Sequence, residues 1–285
     1  MNNILCILGM HRSGTSFTAN WISQCGLNLG DRMMPGALGN EDGHFEDLDF
    51  HDLHEEILKS RGIGYGGFIE SPVEMSVSNT YIERIQALLN NKSSLRQQWG
   101  WKEPRTCLFI DEYLKINEYL KTKHKMRYFI IYRNFNEVVD SLIRRDFNYF
   151  KKYNNSKLNK INRLRFKLKE KYFIEKIYKK NHILYLKSWI IYNKKILSLV
   201  NHVDKHQLIL IDSDLINKYD CEILKKMEEW EFNFQHKVSF SSVYNPHKIK
   251  RTFSKNIEKL NKTNFIEVTE AEHVLNQLHS YSTFK

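Results

Sequence analysis

The sequence predicts an α/β fold, a parallel sheet flanked by helices, and three segments carry that expectation. Residues 4–8 (ILCIL) form a short apolar run closed by Gly9 and followed by helical spacing. Residues 126–132 (MRYFIIY) form a second run, again followed by a helical pattern, and residues 207–211 (QLILI) a third, entered from a long helical stretch. Short apolar strands alternating with helices argue for a parallel sheet covered on both faces.

The elements follow in order. Phe17, Trp21 and Cys25 recur every four residues, one face of a helix closed by Gly26. Residues 30–76 read as irregular and glycine-rich around a short helix at 49–60, which predicts a substrate-facing region. A helix is expected at 79–90, a short strand at 99–102 stopped by Pro104, and helical spacing over 107–120. Residues 136–147 read as a helix with Val139, Leu142 and Ile143 inward. The stretch 151–182, lysine-rich over 151–180, reads as an exposed helical insertion, and residues 183–203 as a long helix. Thr269, Glu270, Ala271 and Glu272 have the form of a capping box opening a final helix. No internal repeat is visible, and residues 1–285 are expected to form a single domain.

Composition bounds the function. The 285 residues are 41% hydrophobic and 13% aromatic, enough for a packed core and too much for a disordered chain. Four prolines and 12 glycines exclude collagen-like and flexible-linker readings. Cys6, Cys25, Cys107 and Cys221 are widely spaced, so reduced thiols in a cytoplasmic protein are expected. The first apolar run is too short for a secretory leader, and no stretch approaches the roughly 20 apolar residues of a membrane helix. The net charge of +11 favours an anionic partner: nucleotide, nucleic acid or membrane surface.

The most informative segment is GMHRSGTS, residues 9–16. It has the phosphate-loop frame of two glycines separated by four residues, between a strand and a helix. Glycines allow the tight turn, and the helix start offers N–H groups and a dipole to a phosphate. Arg12 and the hydroxyls of Ser13, Thr15 and Ser16 add donors around Gly14. A nucleoside triphosphatase would carry Lys where Thr15 stands, with the next hydroxyl on magnesium. Here the cation is Arg12, inside the loop, which suits a single 5′-phosphate without a metal. The strand at 126–132 also lacks the terminal Asp of a Walker B element.

On these residues the sequence resembles the sulfotransferases that use 3′-phosphoadenosine-5′-phosphosulfate (PAPS), in the bacterial and Golgi carbohydrate-type version. The resemblance covers about residues 3 to 215. It implies a three-layer α/β/α fold like that of P-loop nucleoside triphosphate hydrolases, with Arg12 and the loop amides on the 5′-phosphate. The family's second signature is an Arg ending a strand and a Ser eight residues on, both gripping the 3′-phosphate; Arg133 and Ser141 match it. Residues 102–105 (KEPR) are similar to the family's K-[DE]-P-R segment, which implies that Lys102 stabilises the leaving phosphate. Arg105 would position substrate or pair with Glu103.

An acceptor hydroxyl needs a group to take its proton. Residues 40–47 (NEDGHFED) resemble the family segment that carries a Glu, so Glu46 ranks first, then Asp42 and His44, with Glu103 in reserve. His51 and His54 invite a metal reading, but HExxH is absent, and a solvated polar helix is the better expectation. Residues 211–215 (IDSDL) resemble a late family segment of structural character. Trp189 and Tyr192 are expected in the core. Lys248, Lys250 and Arg251 stand where some relatives have Arg-Lys-Gly, a tripeptide this chain lacks.

The resemblance implies sulfonate transfer from PAPS to a hydroxyl or amine, releasing 3′,5′-ADP, with no metal. The acceptor class is a hydroxyl-bearing molecule, by family habit a carbohydrate or glycolipid, and no nucleic-acid partner is expected. Two rivals stand beside it. A nucleotide kinase of the same fold would bind ATP and magnesium. A non-catalytic basic module for nucleic acid or anionic glycan would bind through the Lys-rich stretch, indifferent to Arg12.

Overall fold

A computed structural model describes residues 1–36, 43–71, 77–244 and 253–285. Asp42, Lys248, Lys250 and Arg251 lie outside the described residues. The chain runs β1 (Asn2–Leu8), α1 (Thr15–Gln24), α2 (Leu48–Ser60), α3 (Asn79–Leu95), β2 (Gln98–Lys102), a 3₁₀ turn (Pro104–Phe109), α4 (Ile110–Leu120) and β3 (His124–Tyr132). It continues α5 (Phe135–Lys157), α6 (Lys160–Leu168), α7 (Glu170–His202), β4 (Leu208–Asp212), α8 (Asp220–Glu229), α9 (Lys255–Thr263) and α10 (Phe265–Tyr281).

Among the described residues the strands form one parallel sheet, ordered β2-β1-β3-β4. Side chains alternate along each strand. Ile4, Cys6, Leu8, Met126, Tyr128 and Ile130 enter one core, shared with α2, α3, α4, α5, α7 and α10. Leu5, Ile7, Phe129, Ile131, Ile209 and Ile211 enter the other, shared with α1 and α8. The result is the expected three-layer α/β/α arrangement. Burial of both strand faces explains why the strands read as continuous apolar runs.

The order positions the site. From β1 the chain crosses to β2 on one side, and from β3 to β4 on the other, so the strand order reverses between β1 and β3. Open α/β sheets bind ligands at such a point, beyond the carboxyl ends of the strands. Register brings Ile7 beside Lys102, Leu8 beside Ile130, and Tyr132 beside Asp212. Gly9 (φ 153°) leaves β1 so close to β3 that a Cβ there would stand 2.4 Å from the Ile131 carbonyl oxygen, so only glycine fits.

Two expectations are corrected. The residues at 269–272 do not open a helix: α10 begins at Phe265, and the Thr269 hydroxyl donates back to the Phe265 carbonyl at 2.9 Å, inside the helix. The helix α2 is not a solvated polar helix. Phe50, Leu53, His54 and Ile57 are buried against the sheet, and His54 is wholly enclosed. The segment 151–182 is helical and spans the end of α5, all of α6 and the start of α7.

Candidate functional site

The glycine-bounded loop of residues 9–16 runs from β1 into α1. Its chain reverses at Arg12, whose φ of 68° is left-handed, and at Gly14, which caps α1 at φ 97° without a side-chain hydrogen bond. A non-glycine residue held there costs of order 1 kcal/mol, and such strain collects at functional positions. The Ser13 amide donates to the Met10 carbonyl at 3.1 Å, closing the turn, and Ser13 and Thr15 are buried within it.

The Arg12 side chain crosses to α5, where its Nε donates to Ser141 Oγ at 2.9 Å. Arg133, following β3, returns the contact: its Nη1 donates to the Arg12 carbonyl at 3.2 Å. Glu137 holds the Arg133 Nε at 2.7 Å, and the buried indole of Trp189 donates to the Arg133 carbonyl at 3.1 Å. The core residue Trp189 thus also fixes the end of β3. Arg12, Arg133 and Ser141 are brought together.

The cluster is strongly cationic. Burial first, then the like charges of Arg145, Arg133 and Arg144, push the Arg12 guanidinium down to about 10. Arg144 and Arg145 were not singled out in the sequence, although they lie three and four residues beyond Ser141, hence on its helix face. Asp140 pairs with Arg144 at 2.7 Å and Asp146 with Arg145 at 3.1 Å. An anion placed here would relieve the remaining repulsion.

Lys102 ends β2 and is 1% exposed. Its Nζ donates to Glu46 Oε1 at 2.6 Å, to the His44 carbonyl at 2.9 Å and to Ser16 Oγ at 3.1 Å. The structure therefore joins Lys102, Ser16, His44 and Glu46. Glu46 is held by its neighbours: the Met34 amide donates to its carbonyl, and Asp47 caps α2 while accepting from buried Lys92 at 2.6 Å. The His44 imidazole titrates below its ordinary value, through burial first and then the nearby charges of Lys102 and Arg12, against the pull of Glu46. Both cationic groups are thus felt at one residue.

Glu103 and Arg105 stand apart from this cluster. Glu103 is fully buried, pairs with His54 Nδ1 and accepts from Arg105 Nε at 2.6 Å. Arg105 also pairs with Glu55. Burial opposes charge on Glu103, but Arg105 and His54 outweigh it and keep the carboxyl far below its usual range. His54 Nε2 meets the Tyr113 hydroxyl at 3.0 Å. These groups brace α2 against β2.

Sequence reasoning passed over several further contacts. His11 Nε2 lies 3.0 Å from the Gly66 carbonyl, which can only accept, so this nitrogen carries the proton. The His11 ring packs on Phe68 and Tyr192. The Arg145 guanidinium lies 5.5 Å over the Phe68 ring. A narrow cleft adjoins the loop, lined by Gly14, Phe17, Arg133, Ser213, Asp214 and Tyr244 among others. No local pattern marks Phe17 or Tyr244; they meet only in the fold, ring to ring at 5.8 Å.

No family model matches the chain. No curated protein matches it either. Among solved structures it is similar to the sulfotransferase domain from the curacin biosynthetic pathway, with a TM-score of 0.45, 13% identity, and coverage of 90% of this chain and 82% of that one. It is also similar to the sulfotransferase domain from the Synechococcus PCC 7002 olefin synthase, with a TM-score of 0.46, 15% identity, and coverage of 95% and 94%.

Proposed function

We propose that the protein transfers a sulfonate group from PAPS to a hydroxyl-bearing acceptor. The observation that carries this reading is the meeting of Arg12, Ser141 and Arg133. Two anchors recognised separately in the sequence close on one cationic site, where the strand order reverses. A doubly phosphorylated adenosine has the charge to satisfy it. The cleft beside Gly14, lined by Phe17 and Tyr244, borders this site.

The geometry refines the roles. The loop amides and Ser16 hold the 5′-phosphate. The Arg12 guanidinium, turned to Ser141, joins Arg133 at the 3′-phosphate rather than serving the 5′ end as its position in the loop first implies. Lys102 faces the oxygen that bridges the 5′-phosphate and sulfur. The acceptor oxygen attacks sulfur in line, the bridging S–O bond breaks, and the leaving phosphate gains the charge that Lys102 stabilises. Glu46 takes the acceptor proton, with His44 beside it as second candidate. In the structure Lys102 and Glu46 hold each other, so substrate binding parts them and releases each to its role. Glu103, already committed to Arg105 and His54, drops from the reserve of bases. No step calls on a metal.

Retention of radiolabelled PAPS tests this. Unlabelled 3′,5′-ADP displaces the label, with or without magnesium, and Arg133→Ala retains little of it. Displacement by ATP with magnesium in preference to 3′,5′-ADP would transfer the site to the kinase reading.

A further inference from the structure

The chain's positive charge is concentrated in one place. Residues 151–180 hold twelve lysines and arginines against two glutamates, a net of +10 where the whole chain carries +11. They form the end of α5, all of α6 and the first turns of α7. This outcrop has a small core of its own. Phe166 on α6 packs on Phe150 and Phe173, with ring centroids 5.7 and 5.2 Å away, and Lys151 bonds Glu170 at 2.7 Å.

With Phe166 inward, the opposite face of α6 is turned outward. Ile161, Leu164 and Leu168 follow at intervals of three and four residues and share that face. They are 66%, 61% and 78% exposed, and Tyr172 beside them is 61% exposed. Arg163, Arg165, Lys167 and Lys169 are exposed around the stripe. A surface helix ordinarily buries its aliphatic face. This one buries a single aromatic ring and presents aliphatic side chains within a field of cations.

The outcrop joins the site through α7. Trp189 reaches the end of β3 through Arg133, and α7 then runs back along the sheet toward the start of β4. The preceding turns of α7, from Glu170 to Ser188, span about 28 Å along the helix at 1.5 Å per residue.

We propose that the outcrop docks on an anionic lipid bilayer, with Ile161, Leu164, Leu168 and Tyr172 entering the headgroup boundary and the surrounding cations meeting acidic headgroups. Aliphatic insertion with a basic surround is the chemistry of an interfacial helix. A single-stranded nucleic acid would call for stacked aromatic rings where these aliphatic residues stand. A second copy would bring the same excess of positive charge to the interface. The inference stands on the helices alone and is independent of the transfer chemistry.

Vesicle flotation tests it with the full chain. The protein floats with phosphatidylserine–phosphatidylcholine vesicles and stays behind with pure phosphatidylcholine. The triple variant Ile161→Ser, Leu164→Ser, Leu168→Ser, all at exposed positions and checked for unchanged circular dichroism, loses about tenfold or more in partitioning. Reversing Arg163, Arg165 and Lys167 to Glu abolishes it, and high salt weakens it. Failure to float with the acidic vesicles overturns the proposal. So does flotation that the triple variant leaves intact, or preferential capture by single-stranded RNA, or a dimer in solution that the triple variant disperses without any vesicle binding.

Discussion

The Nε of Arg12 donates to the Ser141 hydroxyl at 2.9 Å, across 129 residues of chain, and so ties the phosphate loop after β1 to the helix after β3. Because the two side chains touch, their contributions to the proposed nucleotide binding are coupled. Arg12→Ala and Ser141→Ala each weaken 3′,5′-ADP binding. The double variant loses less than the sum of the two, with a coupling of about 0.5–3 kcal/mol. A double-mutant cycle read by calorimetry checks this, and strict additivity would separate the two residues into different sites.

In the proposed reaction Lys102 and Glu46 act on the reacting centre and not on the outer phosphates. Lys102→Met lowers the turnover of bound PAPS by about 10²–10³-fold while 3′,5′-ADP affinity changes little. Lys102→Met also removes the cation that Glu46 contacts, so the variant is less stable than Lys102→Met with Glu46→Gln. Thermal unfolding of the three proteins, with single-turnover rates, separates the structural part from the chemical one.

The group formed by Glu103, Arg105 and His54 is a brace, and its removal is read in stability. Glu103→Ala leaves the 2%-exposed Arg105 with Glu55 alone, takes the carboxylate from His54, and costs about 3–5 kcal/mol. Glu103→Gln keeps a hydrogen-bond acceptor and costs less. Denaturant midpoints measure both, and the Gln variant retains transfer activity when folded. Loss of turnover at full stability would return Glu103 to the list of bases.

Acidification destabilises the fold through buried and half-buried histidines. His11, His44, His124 and His182 all titrate below the ordinary 6.5, each chiefly through burial, and His11 farthest. The unfolded chain binds their protons first. Their contribution is therefore whole above about pH 6.5 and declines as the pH falls below it toward the folded-state values. His11, shifted farthest, contributes most to the decline. Urea midpoints between neutral and mildly acidic pH show the decline, and His11→Asn flattens part of it.

What could be read from the sequence was what is local. The strands at β1, β3 and β4 announce themselves because burial on both faces makes them continuously apolar, and the phosphate loop and the spacing from Arg133 to Ser141 are short-range patterns. The burial of α2 was hidden because the partners of His54, Glu103 and Tyr113, lie 49 and 59 residues away. The grip of Lys102 on Glu46 spans 56 residues and the cleft of Phe17 and Tyr244 is assembled from distant segments, so neither leaves a local pattern. The direction of the Arg12 side chain depends on its left-handed backbone, which a non-glycine residue does not advertise.

Calorimetric titration of 3′,5′-ADP against ADP, without magnesium, into wild type and Arg133→Ala is the sharpest single test of the bisphosphate site. The proposed chemistry requires 3′,5′-ADP to bind at least about tenfold more tightly than ADP, with Arg133→Ala erasing most of that preference, since a charged hydrogen bond is worth about 1.5–3 kcal/mol. Equal affinity for the two nucleotides, indifferent to the loss of Arg133, contradicts it.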